Sequence, residues 1–150
     1  MHDKCCTFFG HRTCPSEIKQ KLYDVLENLI TNEGVKVFYV GNQGSFDKIV
    51  CSVLERLSKD YPHIVCTVVL AYFPTENKDN LFKLQDGIGT IYPEGIETAP
   101  KRFAIDWRNR WLLKQADYVV TYITHSWGGA AKYAEKAKRL GKRIVNIAVE

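Results

Sequence analysis

Three glycine-bearing turns and one helical arginine hold the residue types from which an anion site is built. Gly128-Gly129-Ala130-Ala131 opens a helix just after an apolar run. Glycines there let a phosphate approach backbone N–H groups, and a helix N-terminus carries partial positive charge. Close helix–sheet packing would use the same small residues. Ser126 adds a hydroxyl for helix capping or phosphate, and Trp127 a ring that could shield the site or stack on a base. Gly10-His11-Arg12 leaves another apolar run: Gly permits the turn, and Arg offers a planar fork for phosphate or carboxylate. The plainer reading is a surface Arg and a His that caps the next helix. In Gly41-Asn42-Gln43-Gly44-Ser45-Phe46-Asp47 two glycines stand with Asn, Gln and Asp, groups suited to a ribose or base edge. An αL turn with Asp47 as a cap is the alternative. Arg108 sits at the margin of a Phe103, Trp107 and Trp111 face, beside Ala104 and Leu112, where an Arg usually snorkels. Glu135 reads as a solvated helix charge.

These residues need elements that bring them together, and the periodicity supplies them. Cys5–Gly10, Val35–Val40, Ile64–Phe73, Tyr118–Ile123 and Arg143–Val149 read as strands. Between them lie amphipathic helices. Pro15 suits the first helical position, and Ile18, Leu22, Val25, Leu26, Leu29 and Ile30 form one stripe that Gly34 closes. A second helix begins at Ser45 or Phe46, with Ile49, Val50, Val53, Leu54 and Leu57 on one face. A third spans about Lys101–Gln115. A fourth carries Ala130, Ala134, Ala137 and Leu140 on one face and ends at Gly141. Residues 74–100 show neither period and read as a long connection with room for a short strand at Thr90–Tyr92. Five strands alternating with four helices predict a three-layer α/β/α sandwich with a mainly parallel sheet. Ligands in such folds bind beyond the carboxyl ends of the strands, near a topological switch point. Gly10–Arg12, Gly41–Gly44, Tyr72–Pro74 and Ser126–Gly129 are thereby expected along one edge.

Composition narrows the classes. The 150 residues, 45% hydrophobic and 25% charged, make one soluble globular domain over residues 1–150. No apolar run approaches the roughly 18 residues of a membrane helix, and the N-terminal run is too short for a signal peptide. A cytoplasmic protein with no membrane partner is expected. The net charge of +4 is mild and its basic residues are dispersed, which argues against nucleic acid but suits a small anion. The five cysteines form no CxxC pair. Adjacent Cys5 and Cys6 on a strand point to opposite faces, so they do not share a metal, and neither metal nor cofactor is expected. Trp107 and Trp111 offer either a homodimer face or core packing.

Taken together, Phe8-Phe9-Gly10-His11-Arg12, the Phe38–Asp47 stretch, Arg108-Asn109, and Gly128-Gly129-Ala130 followed by Gly141-Lys142 resemble the YpsA-like branch of the SLOG superfamily. That superfamily also includes the LOG nucleotide phosphoribohydrolases and the DprA domain. The resemblance covers nearly the whole chain. It implies a Rossmann-like domain that senses or sequesters a nucleotide or nucleotide-derived ligand, ADP-ribose-like, at Gly-rich strand ends. The ligand-binding set it suggests is Gly10, His11, Arg12, Gly41, Asn42, Gly44, Phe46, Arg108, Ser126, Gly128, Gly129 and Ala130. LOG enzymes carry Arg-Lys on a helix and then Pro-Gly-Gly-x-Gly-Thr-x-x-Glu, whose Arg and Glu assist cleavage of the base–ribose bond. Here Arg108-Asn109 stands for the first, and Gly128-Gly129-Ala130-Ala131-Lys132-x-x-Glu135 keeps two glycines and the Glu spacing. Pro, the third Gly and Thr are lost, and with them part of the phosphate cradle. Binding without turnover is therefore the leading expectation. The alternatives are an N-glycosidic hydrolase using Arg108 and Glu135, and a DprA-like nucleic-acid accessory protein.

Overall fold

The computed structural model describes residues 3–72 and 88–148. Six strands form one sheet: β1 (Lys4–Gly10), β2 (Val35–Val40), β3 (Val65–Val69), β4 (Ile88–Ile91), β5 (Tyr118–Tyr122) and β6 (Arg143–Asn146). The helices are α1 (Lys19–Thr31), α2 (Gly44–Asp60), α3 (Ala104–Gln115) and α4 (Gly129–Arg139). The strand order is β4-β3-β2-β1-β5-β6. Every pairing is parallel, from Cys66↔Ile88 at one edge to Tyr118↔Arg143 at the other.

The sheet thus has six strands, not five. The extra strand, β4, lies at the edge and has the sequence Ile-Gly-Thr-Ile, too short and too little apolar to announce itself. It starts two residues before the segment for which the pattern left room. Expected strand ends also contract. The run read as Ile64–Phe73 pairs only over Val65–Val69, and the last strand stops at Asn146. Phe73, Pro74, the connection from 74 to 87 and Val149 lie outside the described residues.

β1 is central and buried on both faces, which is why its sequence is continuously apolar rather than alternating. Phe8 points into the core under α1 and α2, with Phe38, Leu22, Leu26, Val50 and Leu54. Phe9 points into the opposite core under α3 and α4, with Leu112, Val119, Tyr133 and Ala137. The α1 stripe packs as expected, burying Leu22, Tyr23, Leu26, Leu29 and Ile30. Two helical faces differ from the sequence reading. The buried face of α3 is Ala104, Arg108, Asn109, Leu112 and Leu113, while Phe103 is exposed. In α4 the buried positions are Tyr133 and Ala137, and Leu140 is solvent-exposed. Lys101–Phe103 forms a separate 3₁₀ turn after Pro100, so α3 begins at Ala104. No helix among the described residues is long and apolar enough to cross a membrane.

Candidate functional site

From β1 the chain proceeds outward to β2, β3 and β4, then returns to β5 on the other side of β1. The loops after β1 and β5 therefore diverge and leave a crevice between them, the geometry in which open α/β sheets bind ligands. A cavity of about 530 Å³ occupies this place. That size falls within the range of small-molecule sites. Gly10, His11 and Arg12 line it from β1, Gly41 from β2, Arg108 from α3, and Gly128, Gly129 and Ala130 from the start of α4.

The loops are held by specific contacts. Ser45 N–H donates to the Arg12 carbonyl at 2.9 Å, and its hydroxyl donates to the same oxygen at 2.6 Å while accepting from Cys14 N–H at 2.8 Å. Gly44, at φ +80°, packs so closely that a Cβ would lie 3.0 Å from Arg12 Cα. A Cβ on Gly10 would fall 2.2 Å from the Phe46 ring. Gly10, Gly44 and Phe46 thus bring the walls together, and the latter two do not line the cavity. On the β5 side, Asn146 accepts from Ile123 N–H and donates to Ile123 C=O, both at 3.0 Å.

Arg108 is 3% exposed, so it does not snorkel. Its Nη1 donates to Asn42 Oδ1 at 3.1 Å, and its Nε and Nη2 both donate to Asn109 Oδ1 at 3.2 Å. Asn42 reaches the site through this bond. Asp47, 8% exposed, lines the cavity and accepts from Gln43 N–H at 2.8 Å, reaching back to the start of its own helix. Burial pushes its carboxyl up to about 6, against the opposing pull of Arg108 and the Gln43 N–H. Burial likewise lowers the Arg108 pKa, which the charge of Asp47 and then Tyr72 counteract. A guanidinium nevertheless stays cationic at any working pH.

The opposite rim is aromatic. His11 and His125 stack at 3.6 Å between ring centroids, and His125 and Trp127 at 3.7 Å. Thr124 N–H donates to His11 Nε2 at 2.9 Å, so in neutral His11 the proton is on Nδ1. Burial, and then His125, lowers the His11 pKa. Trp127 is 69% exposed.

Gly128 is the N-cap of α4 at φ +96°, a conformation that favours glycine, and no side chain caps this helix; Ser126 does not serve. A Cβ on Gly129 would meet nothing within 4 Å. Close packing therefore does not account for that glycine. The first N–H groups of a helix have no intrahelical acceptor, and those of α4 start at the cavity wall. Ser126 and Glu135 instead line a separate depression with Lys132, Lys138 and Asn146. The structure does not bring Glu135 into the cavity with Arg108.

The sequence offers Asp47 as a polar group for a ribose or base edge or as a cap, and Asn109 only as the neighbour of Arg108. Both carried a signal: Asp47 shares a helical stripe with Val50 and Leu54, and Asn109 with Leu112 and Leu113. Polar groups on a buried stripe are informative because burial without a partner is costly. Of the thiols, Cys51 lies near enough to Asp47 for the carboxylate to add to the effect of burial in raising its pKa to about 12. Burial raises Cys5 to about 12 and Cys66 to about 11, which keeps them protonated and poorly nucleophilic.

No protein-family model matches the chain, and no curated protein matches it. Among solved structures it is similar to DNA processing protein A (DprA) from Streptococcus pneumoniae, with a TM-score of 0.66 and 17% identity. The likeness covers 95% of this chain and 49% of that one, so the chain spans about half the length of DprA. At this identity the likeness concerns the fold, and this chain has the Rossmann-like parallel α/β fold found in DprA.

Proposed function

We propose that this chain binds a nucleotide or nucleotide-derived anion, such as an ADP-ribose-like molecule, in the cavity between the β1 and β5 loops, and senses or sequesters it. The observation that carries this reading is Arg108, a buried guanidinium on the wall of an open cavity, anchored by two neutral asparagine oxygens. Across the same cavity, the glycine-led start of α4 adds N–H donors with no side chain over them. Trp127 and the two stacked imidazoles offer a surface for an aromatic base. The YpsA-like pattern of the motifs and the DprA-like fold agree with a place in the SLOG superfamily.

Turnover is not part of this reading. N-glycosidic cleavage calls for a carboxylate near the developing oxocarbenium ion and a cation on the phosphate. Glu135, the carboxylate implied by the LOG pattern, lines a different depression from Arg108. The test has two parts. Mass spectrometry of small molecules released from the purified protein is expected to find a phosphorylated nucleoside derivative. Incubation with nucleoside monophosphates, NAD and ADP-ribose is expected to release no free base, and release of base would replace binding with hydrolysis.

The DprA-like fold favours a second reading, a nucleic-acid accessory role. It predicts single-stranded DNA binding that weakens steeply between two salt concentrations as counterions are released. Binding of DNA in preference to nucleotides would establish it over the first.

A further inference from the structure

A Cβ built on Gly41 would lie 3.0 Å from Arg108 Cζ and 3.1 Å from Asp47 Oδ2. The cation and the carboxylate thus close on one point, and any side chain at position 41 would press on both. Asn42 and Asn109 hold Arg108 through three of its five donors. These anchors are neutral. The charge that balances Arg108 across this gap is that of Asp47, which acts on it through the same cavity floor.

An anion that reaches the guanidinium from the cavity must therefore stand beside a carboxylate already there. Two anionic groups that share one low-dielectric site do not both stay ionised, and one takes a proton. We propose that Asp47 is a proton-linked gate on Arg108: an anionic oxygen of the ligand takes its place as counter-charge, and the Asp47 carboxylate takes up a proton from solvent, in a fraction set by pH, as the anion binds. This rests on the anion-site reading above and assigns it a regulation: affinity rises as pH falls. Burial already raises the Asp47 carboxyl to about 6, which brings its protonation towards neutral pH. On α2 Cys51 interacts with Asp47, His11 and Arg12 after β1 and His125 after β5 line the same cavity, Tyr72 after β3 acts on Arg108, and Lys48 follows Asp47 in the chain. Protonation of the histidines would also favour an anion, so the test compares proteins that differ only at Asp47.

The experiment follows the Asp47 carboxyl carbon by NMR through a pH titration, in chloride and in inorganic sulfate at equal ionic strength. Sulfate is a dianion across the range and is the probe. The Asp47 midpoint is expected to rise by about one pH unit or more in sulfate. Asp47→Asn, nearly isosteric, is expected to bind sulfate about tenfold more tightly than wild type near pH 8 and within about twofold of it near pH 5. A midpoint that sulfate does not move overturns the proposal. So does an Asn variant that binds sulfate no more tightly than wild type near pH 8. Failure of ADP-ribose to bind while sulfate still shifts Asp47 would count against the nucleotide reading and support the gate.

Discussion

Gly41 and Gly129 both line the cavity, and substitution separates their roles. At Gly41 an added methyl presses on Arg108 and Asp47 at 3.0–3.1 Å, so Gly41→Ala is expected to cost about 1–3 kcal/mol in urea unfolding. At Gly129 the same methyl meets open space, and Gly129→Ala is expected to leave stability unchanged or raise it by up to about 1 kcal/mol. Equal costs at the two positions would contradict the contacts described. Arg108 and Asp47 form the second residue-scale test. Arg108→Met leaves a buried carboxylate without its compensating charge, an expected loss of about 3 kcal/mol, much of which Asp47→Asn should restore in the double variant. The pH dependence has a definite sign. Asp47 titrates near 6 in the fold against 3.8 ordinarily, so between these values the unfolded chain releases its proton first. Stability from this group therefore falls as pH rises from about 4 to about 6, by on the order of 3 kcal/mol, and the fall should vanish in Asp47→Asn. Arg108 drew attention in the sequence for its chemistry but was placed at a margin, because the aromatic residues beside it suggested a different core face. Helical phase alone does not decide between two overlapping stripes; the contacts of the neighbouring elements do.

Among the elements, β6 shows how an edge strand can shape a distant site. Its Asn146 makes two hydrogen bonds to Ile123, fixing the direction in which the chain leaves β5 towards His125 and Trp127. Asn146→Ala takes a partner from the Ile123 N–H and C=O and from the Ala148 N–H. The expected cost is about 1–3 kcal/mol, with faster amide exchange at Ile123 and, beyond it in the loop, at Thr124, whose N–H donates to His11. Unchanged exchange there would mean that the loop holds its course without the clamp. The central elements were legible for a physical reason: a strand buried on both faces is written as a continuous apolar run, and α1 carries a full stripe. The edges were not. β4 has a glycine and a threonine at its centre and gains its place by pairing with β3, which no local pattern records. The α4 face is only partly legible: Ala137 is buried and Ala130 packs on the core as expected, but Leu140 is exposed, because alanines fit several phases and Tyr133, whose hydroxyl donates to Asp106 on α3, settles the rotation.

At the scale of the whole molecule, alternation of strands and helices indicated a parallel sheet and placed three glycine turns at one edge. The order β4-β3-β2-β1-β5-β6 adds what alternation does not contain, the switch between β1 and β5 that opens the cavity. The glycine edge was readable because turn residues follow strands in sequence. The separation of Glu135 from Arg108 was not, since it depends on which way α4 rotates. In the proposed complex an anionic nucleotide derivative occupies this cavity with its phosphate at the start of α4. Calorimetric titration of wild type and Gly129→Asp with ADP-ribose, AMP and adenosine tests this. A Cβ there meets nothing within 4 Å, and an aspartate suits the positive end of the helix, so the variant should fold. Its carboxylate should repel the phosphate, lowering ADP-ribose and AMP affinity by about tenfold or more, the worth of a charge-assisted hydrogen bond. Adenosine should bind weakly and equally to both proteins. Unchanged ADP-ribose affinity in the folded variant, or adenosine bound as tightly as AMP, would mean that no phosphate sits at the start of α4.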